Sequence, residues 1–394
     1  MASSTQLIRD YRGPSLLSFG FRPFFLFGAV WAAAAMAIWP SLLAGSITLP
    51  TAFDPVVWHA HELIYGYVPA IIGGFLLTAV PNWTGRLPVV GARLFLLFAL
   101  WSSGRIAVLF SAVIGEALAA LIDLVFLAAL AAVVAREIIA GKNTRNLKVL
   151  GVLVVLFSGN AITHAERVFL ATPGYGVRIG IAAVLLLIML IGGRIIPSFT
   201  RNWLAHQRPG RLPRPFDRFD QVAIAVGGSA LVFWLATPDA ASTAWLALAA
   251  GLLQFLRLGR WAGERTTPEP LVAILHIGYL FVPVGFLLLA LGILRPDVIL
   301  PSGALHAWTA GAVGVMTLAV MTRASLGHTG KPLTATWAIQ TIYIAIIFSA
   351  LARIVAGFGV ARVPMLHISA SAWIFAFASF AAVFGPLLVR RRAT

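Results

Sequence analysis

The chain has 394 residues; 60% are hydrophobic, 11% are charged, and the formal net charge is +16. Soluble chains of this length carry roughly a quarter charged residues, so this composition describes a polytopic membrane protein. The absence of cysteine excludes disulfides, thiolate metal ligands, Cys-ligated iron–sulfur clusters and cysteine nucleophiles. The positive charge does not point to nucleic acid, because no basic run is interleaved with stacking aromatics in a polar segment. It fits cytoplasmic loops beside a lipid bilayer.

A span needs about 20 apolar residues. The apolar runs predict twelve spans, at 22–44, 60–80, 90–111, 115–135, 147–170, 177–198, 221–237, 242–257, 271–294, 304–322, 335–357 and 363–388. Residues 1–20 are polar and punctuated by Gly and Pro, so the first apolar run reads as a span and not a signal peptide. With a cytoplasmic N-terminus, the cytoplasmic segments hold most of the 29 Lys and Arg. These include Arg9, Arg12, Arg22, the clusters within 136–148 and 201–218, Arg257, Arg260, Arg265, and Arg390, Arg391 and Arg392. The opposite loops at 45–57, 112–114 and 238–241 hold none. The expected fold is therefore all-α: one domain, twelve transmembrane helices, both termini cytoplasmic.

Internal spacing suggests three four-helix units around the second, sixth and tenth spans. Asn82-Trp83 and Asn202-Trp203 are 120 residues apart, and Thr200-Arg201 and Thr322-Arg323 are 122 apart. His61 precedes Thr84-Gly85 by 23 residues, as His306 precedes Thr329-Gly330.

In this topology five of the eight histidines fall in the outer third, on four helices. His59 and His61 open the second span, His164 lies in the fifth, His306 opens the tenth, and His367 is near the start of the twelfth. His206 and His328 are expected in cytoplasmic loops. Neutral imidazole is a common ligand of haem iron and copper, and a cysteine-free membrane haem protein takes histidines from facing helices. His59 and His61 stand about 200° apart on an ideal helix. Either one is a ligand and the other its partner, or they address two centres.

Charged side chains share that depth: Glu62, Arg105, Glu116, Asp123, Glu166, Arg167 and Arg353. Isolated charges are costly in lipid, so they pair with each other or face a polar cavity. Arg105, Arg167 and Arg353 are also suited to haem propionates. Trp58 and Trp308 each lie within three residues of an outer histidine and are candidates to wall a cofactor. No Walker A, dinucleotide fingerprint or His-Glu-x-x-His motif occurs.

Phe21-Arg22-Pro23-Phe24-Phe25, Trp58-His59-Ala60-His61-Glu62, the run from Gly74 to Gly85, the block Arg194 to Asn202, and Leu305-His306-Ala307-Trp308-Thr309 continuing through Met321-Thr322-Arg323 and Gly327-His328-Thr329-Gly330 together resemble the NnrS family. The resemblance spans essentially the whole chain. It implies a bacterial inner-membrane protein of twelve spans that contains haem (haem b) and copper and is linked to nitric oxide metabolism, denitrification and nitrosative stress.

On this basis the chain is expected to handle nitric oxide near the periplasmic face. His61 and His306 are the first choice for haem iron, and His59, His164 and His367 for copper or supporting positions. Glu62, Glu116, Asp123 and Glu166 are candidates to relay protons. An oxidoreductase of the nitric oxide reductase type, drawing on an electron donor the sequence does not identify, is one reading. A secondary transporter of a metal or haem-related compound is the alternative, and an NO-responsive regulatory or assembly subunit is a third.

Overall fold

The computed structural model describes residues 11–86, 88–169 and 174–390. Arg9, Arg391, Arg392 and position 170, the expected end of the fifth span, lie outside the described residues. Within them the secondary structure is helical and no strand occurs.

Among the described residues, twelve helices are long and apolar enough to cross a membrane. They are α1 (Phe21–Leu43), α2 (Pro55–Thr84), α3 (Ala92–Leu109), α4 (Glu116–Ala140), α5 (Thr144–Phe169), α6 (Tyr175–Leu204), α7 (Arg218–Ala236), α8 (Ala241–Gly259), α9 (Pro270–Leu294), α10 (Pro301–Thr329), α11 (Trp337–Gly357) and α12 (Arg362–Val389). Each corresponds to an expected span. The largest differences are in α2, α6 and α10, which run several residues beyond the apolar stretch because their ends carry polar residues.

Local chemistry sets these ends. Pro55, Pro270 and Pro301 occupy first-turn positions, where a missing N–H costs nothing. Asp217 caps α7 by accepting from Phe219 and Asp220 amides, and Asp220 returns a bond to the Asp217 amide at 3.2 Å. The Arg260 guanidinium donates to Asp217 and holds its carboxyl below the usual carboxylate range. Gly85 (φ +69°) and Gly330 (φ +74°) end α2 and α10 in the left-handed region, which explains the Thr-Gly pair after both helices.

The same three long helices differ from the rest in two ways. Each contains a π-helical stretch: Glu62–Tyr67 in α2, Ile188–Gly192 in α6 and Ala307–Val315 in α10. Each is also mostly buried, at 72%, 67% and 72% of its apolar window, against 33–50% in the other nine. His61 and His306 stand in the same place, immediately before the π stretch of their helices.

The described residues form two compact units, one of those within 1–180, 324–331 and 377–394, the other of those within 181–323 and 332–376. In the first, α1 packs on α2 through Phe24 and Phe25, which close over Gly74; a methyl group there would lie 2.8 Å from Phe25 Cε1. Two residues assigned to cytoplasmic segments or loops by charge or position are integral to this unit. Arg22 is 4% exposed and donates to the Leu388 and Arg390 carbonyls at 2.8 and 3.0 Å. It caps α12, a favourable place for a cation. His328 lies within α10, not in a loop, against the Phe19 and Phe21 rings.

In the second unit, Arg257 is likewise not a loop charge. It is fully buried in α8 and donates to Asp220 (2.9 Å), the Tyr279 hydroxyl (2.7 Å) and the Met189 carbonyl (3.0 Å). Tyr279 donates in turn to Gln254 at 2.6 Å. A buried arginine needs this number of partners because each unpaired donor carries a desolvation cost.

Candidate functional site

Where α2 enters its π stretch, it places two consecutive polar side chains inside the first unit. His61 and Glu62 are both fully buried. Across from them, α3 contributes Arg105, α4 contributes Asp123, and α5 contributes Asn160 and His164, all 5% exposed or less.

Arg105 is the hub. Its Nη1 donates to both oxygens of Glu62, at 2.7 and 2.8 Å, and its Nη2 donates to Asp123 Oδ1. The Trp31 indole of α1 donates to Glu62 Oε2 at 2.7 Å. Asp123 Oδ2 accepts from Asn160 Nδ2 at 2.8 Å and faces His61 Nε2 at 3.2 Å and His164 Nε2 at 3.1 Å. His61 Nδ1 lies 3.1 Å from Glu62 Oε1. One ligand atom each from His61, Asp123 and His164 falls within 4.8 Å of the others, a group able to hold a metal ion.

Two glycines make the approach possible. A Cβ on Gly66 would lie 2.5 Å from Arg105 Nη1, and one on Gly104 would lie 2.8 Å from Asp123 Oδ1. Phe53 covers the group, with ring centroids 5.1 Å from His61 and 5.5 Å from His164. Counted at ~1.5 Å per residue, His61, Arg105, Asp123 and His164 stand roughly 7–13 Å from the midpoints of their helices. The alternating helix directions put all four toward the same end.

Of the residues singled out by sequence, the structure brings together His61, Glu62, Arg105, Asp123 and His164. It places the others elsewhere. His59 stacks on Trp39 at 4.2 Å. Trp58 is fully buried among Ala35, Leu42, Phe53 and Val108. Glu116 is half-buried, 3.7 Å from the exposed Arg167. Glu166 accepts from the Tyr175 and Gly176 amides at 2.7 and 3.3 Å, capping α6. His306, Trp308, Arg353 and His367 belong to the second unit. There His306 Nδ1 donates to the Ser302 carbonyl at 2.7 Å. Trp308 is fully buried, donates to the Val282 carbonyl at 3.1 Å and packs on Trp234 and Phe286. Arg353 is half-buried and His367 exposed.

Sequence reading missed Asn160 and Trp31. Asn160 had a signal, since it lies one helical turn before His164 and so on the same face. Trp31 had none, because its role depends on how α1 packs on α2.

Twelve apolar helices, with a buried imidazole–carboxylate group inside the first unit, define a multi-pass membrane protein with a constellation able to hold a metal ion. The chain belongs to the NnrS family: the family described as NnrS protein matches residues 15–392, nearly the full length. This family is linked to the nitric oxide response. No curated protein matches the chain.

Proposed function

We propose that this protein is a haem- and copper-containing component of the bacterial inner membrane that binds and turns over nitric oxide at its outer histidine layer. The observation that carries the reading is the buried His61–Asp123–His164 group. Ligand atoms in a tetrahedral site with bonds near 2.0 Å stand roughly 3.3 Å apart. Asp123 Oδ2 already lies 3.2 and 3.1 Å from the two imidazole nitrogens, and imidazole suits copper.

A macrocycle does not fit between the same two histidines, because the Asp123 carboxylate stands there. The geometry therefore favours copper at His61, Asp123 and His164, with His306 serving the haem. The Ser302 carbonyl can only accept, so His306 Nδ1 carries the proton and Nε2 the lone pair. A ring N–H fixed on a backbone carbonyl is the usual arrangement behind a metal-bound histidine.

When bound, copper and haem would supply a one-electron couple and a coordination position for the diatomic gas. The chain's own residues shape access and protons. Nitric oxide is small and apolar and enters from the bilayer. Phe53 presents an apolar face to the imidazoles and keeps water from them. Glu62 and Asp123 are the carboxylates within the group, and Glu116 and Glu166 lie nearer the same end of the bundle as candidates to pass protons inward. The off-centre depth of the group also favours this reading over a secondary transporter, whose site belongs near the midplane.

Metal analysis and absorption spectra of detergent-purified protein test the reading. His164→Ala and Asp123→Asn are expected to lose copper and keep the Soret band, and His306→Ala to lose the Soret band and keep copper. Wild-type copper content in both His61→Ala and His164→Ala would overturn the copper assignment.

A further inference from the structure

The proposed copper group sits inside a fixed set of charges. Glu62 and Asp123 contribute two negative charges and Arg105 one positive, and their side chains are at most 5% exposed. The remaining polar partners, Asn160 and Trp31, are neutral. With both imidazoles acting as neutral ligands, the fixed charge is two negative plus one positive, or −1. A buried uncompensated charge is strongly unfavourable. A monovalent cation brings this group to zero, whereas a divalent one leaves +1.

Resting on the copper reading above, we infer that Arg105 is a positioning residue that shifts the copper couple of the site toward the cuprous ion, raising its midpoint potential. Without it the group would carry −2 and match a divalent ion. The charge acts at short range: Nη2 donates to one oxygen of Asp123 while the other oxygen faces both imidazoles. Arginine suits the task because one planar guanidinium spans two carboxylates at once. Gly66 and Gly104 leave the space in which it does so.

The test is a redox titration of purified full-length protein loaded with copper alone, followed by the Cu(II) EPR signal. Arg105→Gln changes the fixed charge from −1 to −2. It is expected to raise the ratio of cupric to cuprous affinity at least tenfold, a fall in midpoint potential of about 59 mV for a one-electron couple. Glu62→Gln changes the charge from −1 to 0 and is expected to move the potential upward by a similar amount. Arg105→Lys keeps the charge and is expected to change the ratio less than threefold.

A merely structural role would not produce opposite shifts from two neutralisations at the same ion pair. Potentials that stay put, or that move in the same direction in Arg105→Gln and Glu62→Gln, overturn the inference. If Arg105→Gln does not fold, an unmoved potential in Glu62→Gln overturns it alone. Failure of the wild type to take up copper overturns the copper reading, whereas uptake with unmoved potentials overturns only the role given to Arg105.

Discussion

Gly66 shows how one missing side chain organises the site. Arg105 Nη1, Glu62 Oε2 and Trp31 Nε1 all lie within 3.1 Å of where its Cβ would be. None of these groups is free to move, since each is bonded to another. Gly66→Ala is expected to destabilise the protein by about 1–3 kcal/mol through overpacking and to reduce bound copper. Thermal unfolding in detergent and metal stoichiometry read the two effects separately. That His61 and Glu62 need partners was legible in the sequence, because charged and ligating residues at the mouth of an apolar helix are costly to bury alone. Their partners could not be read off, because Arg105, Asp123 and Asn160 meet them only through packing of four helices.

At the scale of the helix, the π stretches of α2 and α6 have the same consequence. Widening the turn leaves a main-chain carbonyl open to a side-chain donor, and a buried carbonyl must be satisfied. The Trp101 indole takes the Gly66 carbonyl at 2.8 Å, and Arg257 takes the Met189 carbonyl at 3.0 Å. Arg257→Met leaves Asp220 buried without its main partner and is expected to cost about 3–5 kcal/mol. The double variant Arg257→Met/Asp220→Leu should recover most of that loss, as measured by thermal unfolding. Sequence periodicity has no sensitivity to a single widened turn, so the π stretches were not foreseen. The motifs around α2, α6 and α10 that suggested three repeated units nonetheless fall on the three helices that carry them.

For the whole molecule, the Lys and Arg distribution predicts that both ends of the chain face the cytoplasm. A C-terminal fluorescent fusion is therefore expected to be bright and a C-terminal alkaline phosphatase fusion inactive; the opposite pattern would reverse the orientation. The first helix and the last are tied together by Arg22 in its bonds to the end of α12. Arg22→Met is expected to lower stability by about 1–3 kcal/mol by leaving those carbonyls unsatisfied, again read from thermal unfolding.

Composition and hydropathy were enough by themselves to predict a twelve-helix membrane protein, because a bilayer imposes a length and an apolarity that each span must meet independently; the family was legible only in motifs such as Trp58-His59-Ala60-His61-Glu62. Residue type and depth also marked the outer histidines and charges as the place to look. Only the tertiary structure decided which of them meet. It gathered His61, Glu62, Arg105, Asp123 and His164 from four helices, placed His306 in the second unit, and turned Arg22 and Arg257 from loop charges into buried ones. Pairing across helices depends on their rotation and on where glycines let them approach, and those quantities come from packing of the whole bundle, not from any one stretch of chain.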